Sequence, residues 1–552
     1  MRSIIKLSSA VLTASLLAAC GADSDSDSKT DASAPTGQIK NVIMMIGDGM
    51  GPQQMGLLEE YVNRAPSNPY NGKASAISTF TQEGVMGLSM NGPDGSLVVD
   101  SACSASQLAT GVASGSEMIG LDTNGDKVET ILEKAKALGK ATGLVSDTRM
   151  THATPAAFAA HQAHRSLENE IAEEMLKDTG VDVMLSGGLR YWIPQGSHDD
   201  NAADNALVDL INEPSMKLKS KRKDDKNLLA DAQGLGYDLA FNRSQLAAAE
   251  GDKLLGLFAY SGMSNGIVYS AEKDSAERIQ PSLAEMTKKA LDVLSKDEDG
   301  FFLMIEGGQI DWAAHSNDAG QMLHELLKFD ESVQAVYDWV KDRQDTLVII
   351  TADHETGSFG FSYSRTNLPE AQALTGEMFA DRNYQPNFNF GPLETLDKLH
   401  MQKQSFYDFY EEHMYDAEGT VTAAELMTEF NKISEFNITE AQAAELLVHV
   451  PNSSKAEADT KYADGHKYLG AAELPKITDF SEFYVYVEED HAPQMARQVA
   501  AGQNTVWGTG THTSTPVAVI AWGPESVIKN YGSMMHHVNV GEKTIKAMLN
   551  EL

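Results

Sequence analysis

The chain has 552 residues, room for one large α/β domain with insertions or for two or three ordinary domains. Its hydrophobic fraction of 42% and aromatic fraction of 7% are those of a soluble globular protein with a core to bury. A net charge of −36 argues against nucleic acid as a partner, since a phosphate backbone would be repelled on average, but a local cationic site could still hold a small phosphorylated substrate.

The N-terminus reads as a targeting segment. Arg2 and Lys6 precede a short apolar run, Ser8 to Ala19, which is too short to span a bilayer comfortably. It ends Leu17-Ala18-Ala19-Cys20, which resembles a bacterial lipobox in which Cys20 becomes the lipidated first residue. An ordinary secretory signal with an incidental cysteine is the alternative. Gly21 follows, where Asp would suggest inner-membrane retention, so the expected location is periplasmic or cell-surface, lipid-anchored at the outer membrane, with membrane contact only through Cys20. Residues 20–38 are polar and Ser/Asp-rich and are expected to be a flexible tether. Cys103 is the only other cysteine, and a disulfide between the two is not expected.

Beyond the tether, residues 39–552 are expected to form the catalytic domain. Short apolar runs read as buried strands: Asn41–Ile46, Thr142–Val145, Val181–Leu185, Phe301–Ile305, Thr346–Thr351 and Pro516–Trp522. Helical patterns lie between them at Thr130–Leu138, Leu167–Leu176 and Ser282–Leu294. This alternation predicts a three-layer α/β/α sandwich around a mostly parallel central sheet, with ligands beyond the carboxyl ends of the strands. Two regions break the pattern: residues 195–252, charged and loop-rich, and residues 360–500, which read as a large insertion with amphipathic segments of its own.

Chemistry-bearing residues cluster after the strands. Gly47-Asp48-Gly49-Met50-Gly51 follows the first. Asp100-Ser101-Ala102 follows Leu97–Val99, read as a strand end, and leads into a small-residue helix. Thr151-His152-Ala153-Thr154-Pro155 comes next, then Glu306-Gly307-Gly308 with Asp311-Trp312-Ala313-Ala314-His315, then Ala352-Asp353-His354-Glu355, and last Gly508-Thr509-Gly510-Thr511-His512-Thr513. Asp311 and His315 are four apart, so on a helix they share a face and could grip one metal, although a surface Asp/His pair has the same spacing. Asp353-His354 at a strand end could both reach a metal. Ser101 at a helix start is either an N-terminal cap or a nucleophile beside backbone N–H groups suited to an anion. Taken together, carboxylates and imidazoles at the ends of strands of one sheet are the usual ligand types for Zn2+.

The ordered series DGMG, DSA, ATPAA with a following His-Arg, EG–IDWAAH, TADHE and GTHT resembles the alkaline phosphatase family over the core from about residue 40 to the C-terminus. The resemblance implies phosphate monoester hydrolysis through a phosphoserine, with two Zn2+ and one Mg2+. It implies that Asp311, His315 and His512 hold the first zinc. Asp48, Asp353 and His354 would hold the second, with Ser101 as nucleophile. Asp48 would bridge to the magnesium site, completed by Thr154 and Glu306. Arg165 would clamp the substrate phosphate and Asp100 would orient it. His152 and Trp312 stand where some bacterial members have Asp and Lys, so His152 is expected to touch a metal-bound water and not the metal. The resemblance also implies small phosphate monoesters as substrates, an alkaline working range and a homodimer, with an insertion such as 360–500 building a crown at the dimer.

Other signals carry less. Gly262-Met263-Ser264-Asn265-Gly266 fits G-x-S-x-G but is expected to lack a helix directly after the serine. Asp416–Glu425 resembles half of an EF-hand loop, yet aligning Gly419 puts Met414 where Asp is needed. Lys217–Lys226 reads as a solvated charge run. Among rival functions, a sulfatase needs Cys-x-Pro-x-Arg, which Cys103-Ser104-Ala105 does not offer, and a phosphodiesterase would not need Thr154, Glu306 and Arg165 together. A surface phosphate- or metal-binding lipoprotein of the same fold would have no use for Ser101.

Overall fold

The computed structural model describes residues 38–198, 205–415, 421–461, 469–487 and 489–552. The signal segment with Cys20, residues 20–37 of the tether, and Asp416–Thr420 of the EF-hand-like stretch lie outside the described residues.

Eight strands appear in chain order: β1 (Asn41–Gly47), β2 (Val85–Met90), β3 (Ala141–Arg149), β4 (Val183–Gly187), β5 (Asp238–Ala240), β6 (Leu254–Leu257), β7 (Phe301–Gly307) and β8 (Thr346–Thr351). With the strands Val517–Trp522 and Met534–His536 they make one ten-stranded sheet. Its order is Met534–His536, β2, Val517–Trp522, β8, β1, β7, β3, β4, β6, β5. Only Val517–Trp522 runs against its neighbours, β2 and β8; the other pairs in this sheet are parallel. Strands covered on both faces read as unbroken apolar runs, and β1, β7 and β8 are buried along their whole length. Two apolar clusters lie on the opposite faces. Ile43, Met45, Leu303 and Ile305 point into one, and Val42, Met44, Phe302 and Met304 into the other. Alternate residues of each strand thus feed alternate layers, which makes the expected three-layer sandwich.

Three helix starts follow directly from sequence. Thr130 with Glu133 and Ser282 with Glu285 form capping boxes for Ile131–Ala137 and Leu283–Leu294. Leu167 precedes Glu168–Glu173, which continues as a wider π-helical turn to Thr179. Leu97–Val99 is corrected: Leu97 is 86% exposed in a bend, and the strand before Ser101 is β2, which reaches the core with only alternate residues. The G-x-S-x-G stretch is corrected as well. A helix, Gly266–Glu272, does follow it, but Asn265 caps that helix and Ser264 stands ahead of the cap. The region 195–252 contributes β5 to the sheet. Residues 360–500 supply none of the ten strands among the described residues. Their helices bury Leu396, Phe406, Phe409, Leu426 and Phe430 in the same apolar cluster as β1 and β7.

No helix among the described residues is long and apolar enough to cross a membrane.

Candidate metal centre

The ends of β1, β3, β7 and β8 are neighbours in the sheet, so the residues that follow them converge. A short antiparallel pairing, His512 opposite Thr356 and Thr513 opposite Glu355, brings the GTHT stretch onto the stretch after β8. Gly49 has φ +70, and a Cβ there would lie 2.8 Å from Asp311 Cα, so only glycine lets the turn after β1 approach the helix Gln309–His315.

Three clusters result, in each of which one ligand atom per residue lies within 4.8 Å of the others: Asp311, His315 and His512; Asp48, Asp353 and His354; Asp48, His152 and Glu306. Asp48 is common to two of them.

In the first cluster, one helical turn brings His315 Nε2 to 3.2 Å from Asp311 Oδ2. His315 Nε2 and His512 Nε2 face each other at 3.1 Å. Each ring is oriented from behind: Nδ1 of His315 lies 2.7 Å from Gly510 O and Nδ1 of His512 lies 2.8 Å from Val99 O. A carbonyl can only accept, so both Nδ1 atoms donate and both Nε2 atoms face one point, a common arrangement of ligating histidines. Against burial, Asp311 raises His315 to about 9, so a cation bound there would take the place of its Nε2 proton. Thr356 Oγ1 donates to Asp311 Oδ1 at 2.5 Å.

In the second cluster, His354 Nε2 lies 3.4 Å from Asp48 Oδ1, 3.2 Å from Asp353 Oδ2 and 3.2 Å from Ser101 Oγ. Asp353 Oδ1 accepts from the Gly49 and His354 amides, leaving Oδ2 free to face the cluster. Ser101 is the first residue of the helix Ser101–Thr110. Asp100 caps that helix by accepting from Ala102 N.

In the third cluster, Ser146 and Thr148 both donate to Glu306 Oε2, while Oε1 has no hydrogen-bond partner. Thr154 Oγ1, from the first turn of the helix Ala153–Ala159, is likewise unpartnered. His152 Nδ1 lies 4.0 Å from Glu306 Oε1. Trp312 packs edge-on to His152, ring centroids 5.9 Å apart.

Arg165 donates Nη1 to Asp100 Oδ2 at 3.3 Å, and its Nη2 lies 3.2 Å from His152 Nε2. Asp100 Oδ1 is held in turn by the Glu117 amide at 2.7 Å. The structure therefore brings every residue singled out after the strands to one place. Trp312 meets it through His152, and Asp100 through Arg165 and through the helix that Ser101 begins.

The donor set fits cations. Both oxygens of Asp48, Asp353 Oδ2, Glu306 Oε1 and Thr154 Oγ1 are buried without a hydrogen-bond partner, a costly state for polar atoms unless something positive lies between them. The electrostatics agree. Burial, and then Asp353 and Asp311, push the Asp48 carboxyl well above the carboxylate range. Burial and Asp311 push Asp353 up to about 8. Burial lifts Glu306 to about 7, against the Ser146 hydrogen bond. Carboxylates crowded this way hold protons near neutrality, and a divalent cation takes the protons' place. Asp311 goes the other way: despite its burial, His315 holds it well below the usual range.

Several contributors carry no sequence signal that singled them out. Asp147 Oδ1 accepts from the Gly308 amide at 2.7 Å, and Lys328 Nζ reaches Asp147 Oδ2 at 2.9 Å from a buried position. Thr356 sits only two residues beyond His354 and could have been read as part of that stretch. Tyr486, from the 360–500 insertion, packs on His315 with ring centroids 4.8 Å apart.

The family model described as alkaline phosphatase matches residues 39–547. Alkaline phosphatase 4 of Bacillus subtilis (strain 168) is 35% identical over 359 residues, covering 63% of this chain and 68% of that protein. Alkaline phosphatase 3 of the same organism is 34% identical over 330 residues, 58% of this chain and 62% of its own length. Among solved structures, the alkaline phosphatase of Thermus thermophilus shares the fold with a TM-score of 0.70 at 23% identity, over 93% of this chain and 92% of that one.

Proposed function

The chain is an enzyme of the alkaline phosphatase family, and on that premise we propose that it hydrolyses phosphate monoesters through a phosphoserine on Ser101. The single observation that carries this reading is the shared position of Asp48. One buried carboxylate with two unpartnered oxygens faces two clusters, and Ser101 Oγ and the Arg165 fork lie beside them.

In this reading Asp311, His315 and His512 hold one Zn2+, Asp48, Asp353 and His354 a second, and Asp48, Glu306 and Thr154 a Mg2+. Such cations supply positive charge beside the entering and leaving oxygens of an in-line displacement. The rest is the chain's own work. Arg165 is always charged and presents a planar fork, which suits two phosphate oxygens. Burial opposes that charge, but Asp100 foremost, then Asp48, hold the guanidinium protonated. Ser101 Oγ gives up its proton and forms the new P–O bond on the His354 side, while the ester P–O bond breaks in line with it, toward Asp311, His315 and His512, and the leaving oxygen takes up a proton and departs as the alcohol. Water then cleaves the Ser101–phosphate bond, restoring the serine and releasing inorganic phosphate. The first-turn amides of the helix Ser101–Thr110 favour the anion throughout.

The test is hydrolysis of a chromogenic phosphate monoester against the matching diester and sulfate, with and without a chelator. The expected result is a strong preference for the monoester, abolished by chelation. Equal or faster turnover of the diester or sulfate, or indifference to the chelator, overturns it.

Two further properties belong to this proposal. Lipidation at Cys20 would place the enzyme outside the cytoplasm, and loss of acyl labelling in Cys20→Ser would test it. A homodimer is supported by an exposed aromatic group in the insertion, where Tyr363 lies 5.3 Å from both Phe388 and Phe390 and Phe390 is 65% exposed. Light scattering of the purified chain decides that point.

A further inference from the structure

The stretch Phe480–Val487, in the last part of the large insertion, is fastened beside the first cluster. Phe483 O accepts from the Gly510 amide and from Thr509 Oγ1, just before His512. Tyr484 OH donates to Asn317 Oδ1 at 3.1 Å, two residues beyond His315, and its ring lies under the Arg497 guanidinium at 5.0 Å. Gly510 stands so close that a Cβ there would lie 2.7 Å from the Tyr484 ring. Val487, at φ 55, turns the chain back just after Tyr486. A β-branched residue holds that backbone only where its surroundings impose it. This anchoring fixes Tyr486. Its half-buried ring meets His315 nearly at right angles, with centroids 4.8 Å apart.

A ring packed on His315 borders the cluster of Asp311, His315 and His512. Ser101 Oγ stands on the His354 side at 3.2 Å. In-line displacement sends the leaving group away from it, toward the His315 cluster, and therefore past Tyr486. We propose that Tyr486 is a specificity residue of the phosphomonoesterase site proposed above, and that its phenol packs on the leaving group and favours phosphate esters of aryl or other flat ring alcohols. The insertion then completes the pocket of its own chain. Ring-on-ring contact suits this task because it adds attraction beyond the area it buries and keeps the leaving group in one orientation.

The experiment compares kcat/KM for phenyl phosphate and ethyl phosphate in the metal-loaded full chain and in its Tyr486→Phe and Tyr486→Leu variants. The quantity read is the aryl-over-alkyl ratio of each variant relative to wild type, which removes the intrinsic difference between the two leaving groups. Tyr486→Leu is expected to lower the ratio roughly three- to tenfold, and Tyr486→Phe, which keeps the ring, to hold it within about twofold. An unchanged ratio in Tyr486→Leu overturns the proposal. That includes an equal loss on both esters, which would mark Tyr486 as a support for His315 alone. If wild type hydrolyses neither ester while its metals are bound, the phosphomonoesterase reading fails and this proposal falls with it.

Discussion

Arg165 Nη2 lies 3.2 Å from Nε2 of His152. A guanidinium has no lone pair and must donate, so His152 Nε2 accepts. Burial, reinforced by Arg149 and Arg165, holds the imidazole well below its usual range and keeps it neutral. Its proton therefore sits on Nδ1, the nitrogen that faces the third cluster. A protonated nitrogen cannot ligate a cation, so we propose that His152 serves this cluster as a hydrogen-bond donor and not as a ligand, its Nδ1 facing Glu306 Oε1 at 4.0 Å.

The first prediction concerns the other end of that bond. Arg165→Ala should raise KM and weaken inhibition by inorganic phosphate, with a smaller loss in kcat, because its contacts exist in substrate and transition state alike. The cost should be about 1.5–3 kcal/mol, roughly ten- to a hundredfold in kcat/KM. Arg165→Lys should restore only part, since a point charge cannot copy the fork. Phosphate inhibition constants that agree across all three proteins would show that Arg165 is not the clamp.

Asp48 is fully buried and faces two clusters. Asp48→Ala should empty both, while Asp311, His315 and His512 keep their ion. Metal analysis by emission spectrometry checks this, and full metal content in the variant would contradict the bridging role.

Ser101→Ala removes the proposed nucleophile but none of the carboxylates or imidazoles. Phosphate should still bind, no phosphoserine should form in acid-quenched samples, and turnover should fall by several orders of magnitude. Undiminished turnover would eliminate Ser101.

The central strands and the ligand clusters were legible for the same reason. A parallel strand covered on both faces must be continuously apolar, as Thr346–Thr351 is, and the polar residues just beyond it stand at the end of the sheet where ligands bind. β2 buries Gly87 and Ser89 and exposes Met86 and Met90, so its apolar residues make no buried run, which is why Leu97–Val99 reads as the strand instead. β5 and β6 are only three and four residues long, too short to show a period. Tyr486 was illegible on other grounds: it reaches His315 through anchors at Asn317 and Gly510 that are distant in sequence, and no local pattern encodes a tertiary strap.

The loop that carries Arg165 rests on an ion pair whose pH dependence can be worked out. His161 and Glu174 are both buried. Glu174 Oε2 accepts from the His161 amide at 2.9 Å and from Gln162 Nε2 at 2.8 Å, and Oε1 lies 3.3 Å from His161 Nδ1 and 3.2 Å from Lys127 Nζ. His161 Nε2 faces Val128 O at 3.0 Å. Both ring nitrogens thus face acceptors, an arrangement only the imidazolium satisfies. Burial alone would lower its pKa, but the Glu174 hydrogen bond and then the Glu133 charge raise it above the usual value. Burial alone would raise Glu174, yet the hydrogen bonds from His161, Gln162 and Lys127 pull it down to about 2. The raised histidine stabilises the fold below its unfolded pKa of about 6.5, and that contribution is lost as pH rises through the folded value. The depressed glutamate contributes above about 4.3, and its share is lost as pH falls toward about 2. Both act together only between roughly pH 4.5 and 6.5. Glu174→Gln should therefore lower stability by about 1–3 kcal/mol near pH 5.5, and by progressively less as pH rises through the folded value of His161, whose charge is then lost while the glutamate's own hydrogen bonds remain. Thermal unfolding of both proteins at one scan rate from pH 5 to 9 measures the gap. A gap that stays flat over that range, or widens with pH, would mean that His161 is not charged in the folded chain.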